Sequence, residues 1–406
     1  MTGPVETAPP AVSGRGTPEA AAWAVFVTFA LNGFAFASFA SRVPAVRDAL
    51  GLEPQQVGLL LLGVSTGALL AMPLSGVVVQ RLGATRTILS FAAVNGTGLL
   101  VAAAAVDAHR IWVVVPALVL VGMGTGVWDA AMNLEGAAVE QRLGRAIMPR
   151  FHAGFSFGTM AGAGIGALAA SLHAPLVVHL GIALPLGYLA LVVCSRWFLP
   201  AGTHAAHPDD AVGRPRSAWL EPRTVLIGLV VLAAAITEGS ANDWVSLAVV
   251  DGFDVGNDVG ALGFGLFVTA MTAMRLLGTG LLDRYGRVVV LRIVAALSLV
   301  GLLLFGLAPA LWLAAVGVAL WGMGAALGFP VGMSAASDDP RRAPARVAVV
   351  ATIGYSAFLA GPPLLGLLAG AVGYRHALLA VTVPVLVGLL VIPAARPLPT
   401  AAGGAR

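Results

Sequence analysis

The sequence contains no lysine. A nucleotide-binding loop of the G-x-x-x-x-G-K-[ST] kind therefore cannot form, and the chain by itself does not hydrolyse ATP. One cysteine, Cys194, excludes an internal disulfide and a thiolate metal cluster. Its apolar neighbours are those of an inert buried thiol. Charge is scarce: 10% of the 406 residues are Asp, Glu or Arg, against about 25% in soluble domains. No zinc-ligand spacing, nucleophile elbow or soluble domain is present, so no metal, cofactor or enzymatic activity is expected.

Apolar residues make up 58% of the chain. Mean hydropathy is +0.92. A soluble fold cannot cover that much apolar side chain with so few polar groups. The net charge of +4 does not indicate a nucleic-acid binder, because the arginines sit in short gaps between apolar runs. The lipid bilayer is the expected partner.

About 20 apolar residues cross a bilayer as a helix. Breaks at charge, Pro and Gly give twelve such segments. They lie near 20–41, 56–79, 86–106, 111–138, 148–171, 175–198, 223–249, 259–281, 288–308, 310–334, 346–371 and 376–394. Only Ala308-Pro309-Ala310 separates segments 9 and 10. The chain then divides into a disordered cytoplasmic tail (1–19), a six-helix bundle (20–198), a cytoplasmic linker (199–222), a second six-helix bundle (223–396) and a tail (397–406). Arg42, Arg47, Arg110 and Arg375 fall on one side, Arg275 lies within segment 8, and every other arginine falls on the side of both termini. The positive-inside rule makes that second side cytoplasmic.

The two halves repeat. Gly122-Met123-Gly124 on segment 4 returns as Gly322-Met323-Gly324 on segment 10, and Gly154-Phe155-Ser156 as Gly354-Tyr355-Ser356. Gln80-Arg81-Leu82-Gly83 after segment 2 returns as Asp283-Arg284-Tyr285-Gly286 after segment 8. Asn32-Gly33 sits at the depth of Glu238-Gly239. The expected fold is all-α: twelve transmembrane helices in two pseudo-symmetric six-helix bundles. Two such bundles can rock about a midplane site.

Over essentially its whole length the chain resembles the major facilitator superfamily. That family carries the loop G-x-x-x-D-R-x-G-R. Asp283-Arg284-Tyr285-Gly286-Arg287 keeps its charged half, with Thr279 at the leading Gly position. The first copy runs from Gly76 to Gln80-Arg81-Leu82-Gly83, with Gln80 where the family has Asp. Resemblance makes Gly76, Gln80, Arg81, Gly83, Asp283, Arg284, Gly286 and Arg287 a conformational loop motif. The stretches Ser41-Arg42-Val43-Pro44-Ala45-Val46-Arg47-Asp48 and Glu238-Gly239-Ser240-Ala241-Asn242-Asp243-Trp244 resemble the YbjJ-like bacterial inner-membrane branch. Segment 4 is distantly similar to fucose-permease-like sugar–proton symporters, whose carboxylate precedes an Asn by four residues, as Asp129 precedes Asn133. Their partner carboxylate on the first helix has no match; Ala40 is nearest.

Four acids lie inside segments: Asp129, Glu135, Glu238 and Asp243. A charge at the bilayer centre costs about 2.5–3.5 kcal/mol on insertion scales. Glu238 is the leading candidate to bind a proton or substrate, roughly 22 Å along its helix at about 1.5 Å per residue. Asn242 shares its face four residues on. Asp129 and Asn133 share a face in the same way, and His152 lies at comparable depth, within reach of either. Asn32 completes a hydrogen-bonding wall. Arg275 either snorkels to the interface or pairs with an acid or an anionic substrate. Glu135 and Glu140 are expected to face solvent or loop arginines, and Asp243 to cap or bond between helices. Trp128, Trp321 and Phe34 are candidate cavity aromatics; a core or lipid-facing position is the plainer alternative.

Gly154, Gly158, Gly162 and Gly166 recur at every fourth position of segment 5. Close helix packing explains this; the stretch also resembles the drug–proton antiporter motif, with Ala163 for its Pro. The expectation is a monomeric secondary transporter of the bacterial inner membrane, moving a small organic solute with proton coupling. Symport and drug or metabolite antiport both stand, and a non-transporting sensor or assembly protein is the alternative of another class.

Overall fold

The computed structural model describes residues 17–144, 147–199, 218–339 and 342–398. Most of the two expected tails and of the linker lie outside the described residues, as do Arg15, Arg145, Arg214, Arg216, Arg341 and Arg406. Twelve helices are long and apolar enough to cross a membrane. Spans 1 to 6 are Pro18–Leu50, Pro54–Met72, Ala84–Asp107, Ile111–Leu143, Arg150–Ser171 and Leu176–Trp197. Spans 7 to 12 are Pro222–Phe253, Asn257–Gly278, Gly280–Leu307, Leu311–Ala336, Ala345–Val372 and Tyr374–Ala395.

Helix starts follow local chemistry. Thr17 accepts from the Ala20 N–H at 3.3 Å and Pro18 takes the first helical position, where no N–H is needed. Glu53 and Gln56 form a reciprocal capping box around Pro54. Span 1 bends after Ala40 into a short helix, Val43–Leu50, which stops at left-handed Gly51. Arg42 Nη2 donates to the Ala174 carbonyl at 2.7 Å and ties this bend to the turn between spans 5 and 6. Span 4 runs to Leu143, a full turn beyond the expected 138. Glu140, Gln141 and Arg142 end the apolar run without ending the helix, since all three are good helix formers.

The sequence repeat becomes a packing repeat. A Cβ on Gly122 would stand 1.9 Å from the Val64 carbonyl of span 2, and one on Gly124 2.5 Å from the Asn95 nitrogen of span 3. In the second half Gly322 meets the Phe267 carbonyl of span 8 and Gly324 the Ser298 nitrogen of span 9. Glycine is required at each because backbone fills the space a side chain would need. The loop copies match too: Gly83 and Gly286 take φ of 80° and 73° with extended ψ, turning the chain between spans 2 and 3 and breaking the helix near the start of span 9. Spans 1–6 and 7–12 thus form two related bundles.

The bundles meet on the side of the short helix. Gly58 of span 2 backs onto the Pro362 carbonyl and the Gly366 Cα of span 11. Arg47 pairs with Asp251 and lies over the Tyr374 ring at 5.8 Å, and Asn257 donates to Asp48 at 3.1 Å. Among the described residues, every hydrogen bond and ion pair joining the two halves is on this side. Toward the linker, spans 1 and 3–6 keep a separate apolar cluster built on Phe29, Ile88, Met132 and Phe151. Among the described residues the halves are therefore tied by polar contacts at the short-helix end and by none toward the linker.

Candidate functional site

Span 10 breaks at Ala326–Leu327. Pro330 explains the break: without an N–H it leaves the carbonyl four residues back, Ala326, without a helical partner. Arg275 of span 8 uses that carbonyl, its Nε donating at 3.2 Å. The same guanidinium reaches span 7, where Nη2 lies 3.0 and 3.2 Å from the two Glu238 oxygens. Three spans are thus held at one point by an ion pair whose partners are 27% and 21% exposed. Arg275 pairs with an acid rather than snorkelling away.

One turn from Glu238 toward the short-helix side, a cavity of about 260 Å³ lies between the bundles. Asn32, Phe36, Asn95 and Trp128 line it from the first half; Asn242, Asp243, Tyr355 and Phe358 line it from the second. Glu238 is beside this cavity rather than on its wall. Asn32 Nδ2 is buried without a hydrogen-bond partner, and so is Trp128 Nε1. Asp243 has no hydrogen-bond partner among the described residues and opens on the cavity. Buried polar groups ordinarily find partners, so these three are groups a bound solute can satisfy. Asp243, expected to cap or bond between helices, makes no such hydrogen bond among the described residues and lines the cavity with Asn242.

Asp129 and His152 lie on the first half, at the linker side of the cavity. Neither is hydrogen-bonded to the other among the described residues. The Asn133 amide donates to the Asp129 backbone carbonyl at 2.8 Å, and the His152 ring meets Phe29 edge-on at 5.2 Å. Shared depth did not bring the side chains together, because each is taken by its own helix or an adjacent ring. His152 is within electrostatic reach of Arg275, and Asp129 of Tyr355.

Several expected residues have other work. Trp321 is fully buried against Phe267 and Phe305, at 5.4 and 6.1 Å, and is core. Phe34 lines a second, lateral cavity and not the central one. Phe36, two residues on, lines the central cavity in its stead. Glu135 is fully buried and accepts from the Leu199 N–H at 2.9 Å. Glu140 accepts from Ile147 and Met148 N–H at 2.6 and 2.8 Å, closing the start of the next helix. Glu140 is drawn to the unpaired N–H groups at a helix start, and Glu135 satisfies a buried backbone N–H just past the end of span 6.

The loop motif is unequal in its two copies. Arg287 pairs with Asp338 at 2.6 Å, Arg223 with the same acid at 2.8 Å, and Arg287 reaches Ser334 at 3.2 Å. All four belong to the second half. Asp283 is exposed, and Arg284 lies over Tyr285 at 5.3 Å. In the first copy Gln80 and Arg81 are exposed and have no partner among the described residues. Gly76 also has open space around it. The glycine series of span 5 packs on span 1: a Cβ at Gly158 would stand 1.8 Å from the Ala30 carbonyl, and one at Gly162 2.6 Å from that of Phe34.

Twelve apolar spans in two related bundles around a central cavity that carries Asn32, Asn95, Asn242 and Asp243 define a membrane transporter. The Major Facilitator Superfamily profile matches residues 25–352 and 227–405, and the chain belongs to that family. An uncharacterized transporter, y4wD of Sinorhizobium fredii, is 36% identical over 373 residues, covering 88% of this chain and 96% of the relative. The nucleoside transporter NupG superposes with a TM-score of 0.71 at 15% identity, over 93% of this chain and 98% of that one. The Escherichia coli fucose:proton symporter FucP gives 0.58 at 12% identity, over 91% and 97%. These two likenesses concern the fold.

Proposed function

We propose that the protein moves a small polar organic solute across the bacterial cytoplasmic membrane by alternating access, coupled to protons. Both termini then lie in the cytoplasm, as the arginine distribution requires. Contacts between the halves on the short-helix side correspond to a state closed to the outside. The cavity of about 260 Å³ is just below the usual range of about 300–1,000 Å³ for ligand pockets, which favours a compact solute. Aromatic faces of Phe36, Trp128 and Tyr355 suit an apolar ring edge. Asn32, Asn242 and Asp243 suit hydroxyl or amino groups.

The observation that carries the reading is the Glu238–Arg275 pair held against the broken span 10. A proton on Glu238 cancels one charge of the pair. Arg275 keeps its Ala326 carbonyl and is released from span 7. Spans 7, 8 and 10 then lose one mutual restraint, and the field at His152 across the seam changes. Loading and unloading of the proton thus bias how the halves sit.

Proteoliposomes with an imposed pH gradient test this. The probes are labelled uridine and L-fucose, chosen because a nucleoside and a fucose transporter share the fold, together with a mixed panel of small neutral solutes. Native protein is expected to accumulate at least one of them with the gradient. Glu238→Gln is expected to lose the gradient-driven component while keeping solute exchange at equal pH. Gradient-driven accumulation unchanged in Glu238→Gln removes this acid from coupling.

A further inference from the structure

A second cavity of about 270 Å³ lies on the flank of the first bundle, between spans 1, 3 and 6. Its lining includes Phe34 from span 1, Gly96 from span 3 and Pro185, Gly187 and Tyr188 from span 6. No charged residue lines it. Gly96 and Gly187 are the middle residues of their spans, so the cavity is at mid-depth, beyond the reach of lipid headgroups in a hydrocarbon core about 30 Å thick. At its mouth Thr97, Pro185 and Tyr188 are exposed, and the exposed apolar side chains of Leu186, Leu189 and Val101 surround them. The mouth is therefore continuous with the belt that faces the bilayer.

The back wall is the informative part. Ala35, Asn95 and Trp128 line this cavity and the central one alike. Trp128 separates two cavities, one without a charged residue and open sideways, the other between the halves with Asp243 on its wall. We propose that the lateral cavity is a binding site for a phospholipid acyl chain, which seats behind Trp128. An acyl chain is the occupant because it alone is present at that depth in quantity, has no polar atoms to leave unpaired, and enters through a mouth that is part of the lipid-facing surface. The chain packs on the outer face of Trp128, so the lipid supports one wall of the central cavity. This assignment does not depend on the proton-coupled reading.

Tryptophan fluorescence in vesicles tests it. The full-length protein is reconstituted in phosphatidylcholine whose chains carry bromine at mid-chain, and in the unbrominated lipid. Bromine quenches indole only near contact. Comparing native protein with Trp128→Phe isolates the Trp128 emission. Loss of that emission in brominated lipid is expected. Gly96→Leu provides the second arm, since a Cβ there meets nothing within 4 Å and the leucine fills the cavity without displacing backbone; it is expected to restore the emission while keeping the native unfolding temperature. Equal Trp128 emission in the two lipids, or equal quenching in native protein and Gly96→Leu, overturns the assignment. Quenching that appears only on dilution with lipid gives the face to a second copy of the chain and also overturns it.

Discussion

Replacing Arg275 by Ala removes the partner of Glu238 and leaves a carboxylate among three spans. Breaking a buried pair from one side costs about 3–5 kcal/mol. The partners are only 21% and 27% exposed, so solvent screening reduces this little. Proton uptake sets a ceiling, because the variant can neutralise the acid instead of burying its charge. For a carboxyl of ordinary acidity that costs about 4 kcal/mol at pH 7 and about 1 kcal/mol at pH 5. The penalty of Arg275→Ala is therefore expected to approach 4 kcal/mol at pH 7 and to shrink by roughly 3 kcal/mol at pH 5. The double variant Glu238→Gln/Arg275→Met removes both charges and is expected to be within about 1 kcal/mol of the native protein, as isosteric replacements of ion pairs often are. The assay is apparent unfolding temperature in detergent at one fixed scan rate, because an irreversible midpoint depends on that rate. A penalty for Arg275→Ala that is the same at pH 5 and pH 7 refutes the reasoning. So does a double variant as unstable as the single one.

Gly58→Leu places a side chain where a Cβ already stands 2.6 Å from the Pro362 carbonyl, so spans 2 and 11 are forced apart. In a Cys194→Ser background, an Asn242→Cys probe is expected to react faster with a membrane-impermeant thiol reagent added on the short-helix side; an unchanged rate speaks against this contact as the closing point. Glu221 gives a pH prediction outside the spans. Burial alone would raise its carboxyl, but hydrogen bonds from Arg346 and Thr224 and the charges of Arg346 and Arg342 outweigh burial and hold it below the ordinary carboxylate value. The stabilisation is complete above the ordinary Glu value of about 4.3 and is lost as pH falls through the lower folded-state value. Unfolding temperature is expected to drop in that acid window more for the native protein than for Glu221→Gln.

What the amino-acid order determined by itself was the frame: twelve spans, two repeated halves, the turns at Gly83 and Gly286, and Glu238 as the acid to watch. These are legible because hydropathy runs, caps and positive-φ turns are properties of a single stretch of chain. The every-fourth glycines of span 5 announced their close packing before their neighbours on span 1 were known. Pro330 was also legible in principle: a proline inside a span marks a free carbonyl four residues earlier, and Ala326 is where Arg275 binds. Only the tertiary structure decided which side chains meet. Asp129 and His152 have matching depth yet turn to different partners, Trp321 is core while Trp128 is a wall, and Asp243 opens on the cavity while Glu238 stands beside it. Depth and helical face follow from spacing along one helix, whereas a contact depends on the rotation and tilt of two, which are set by packing over the whole bundle.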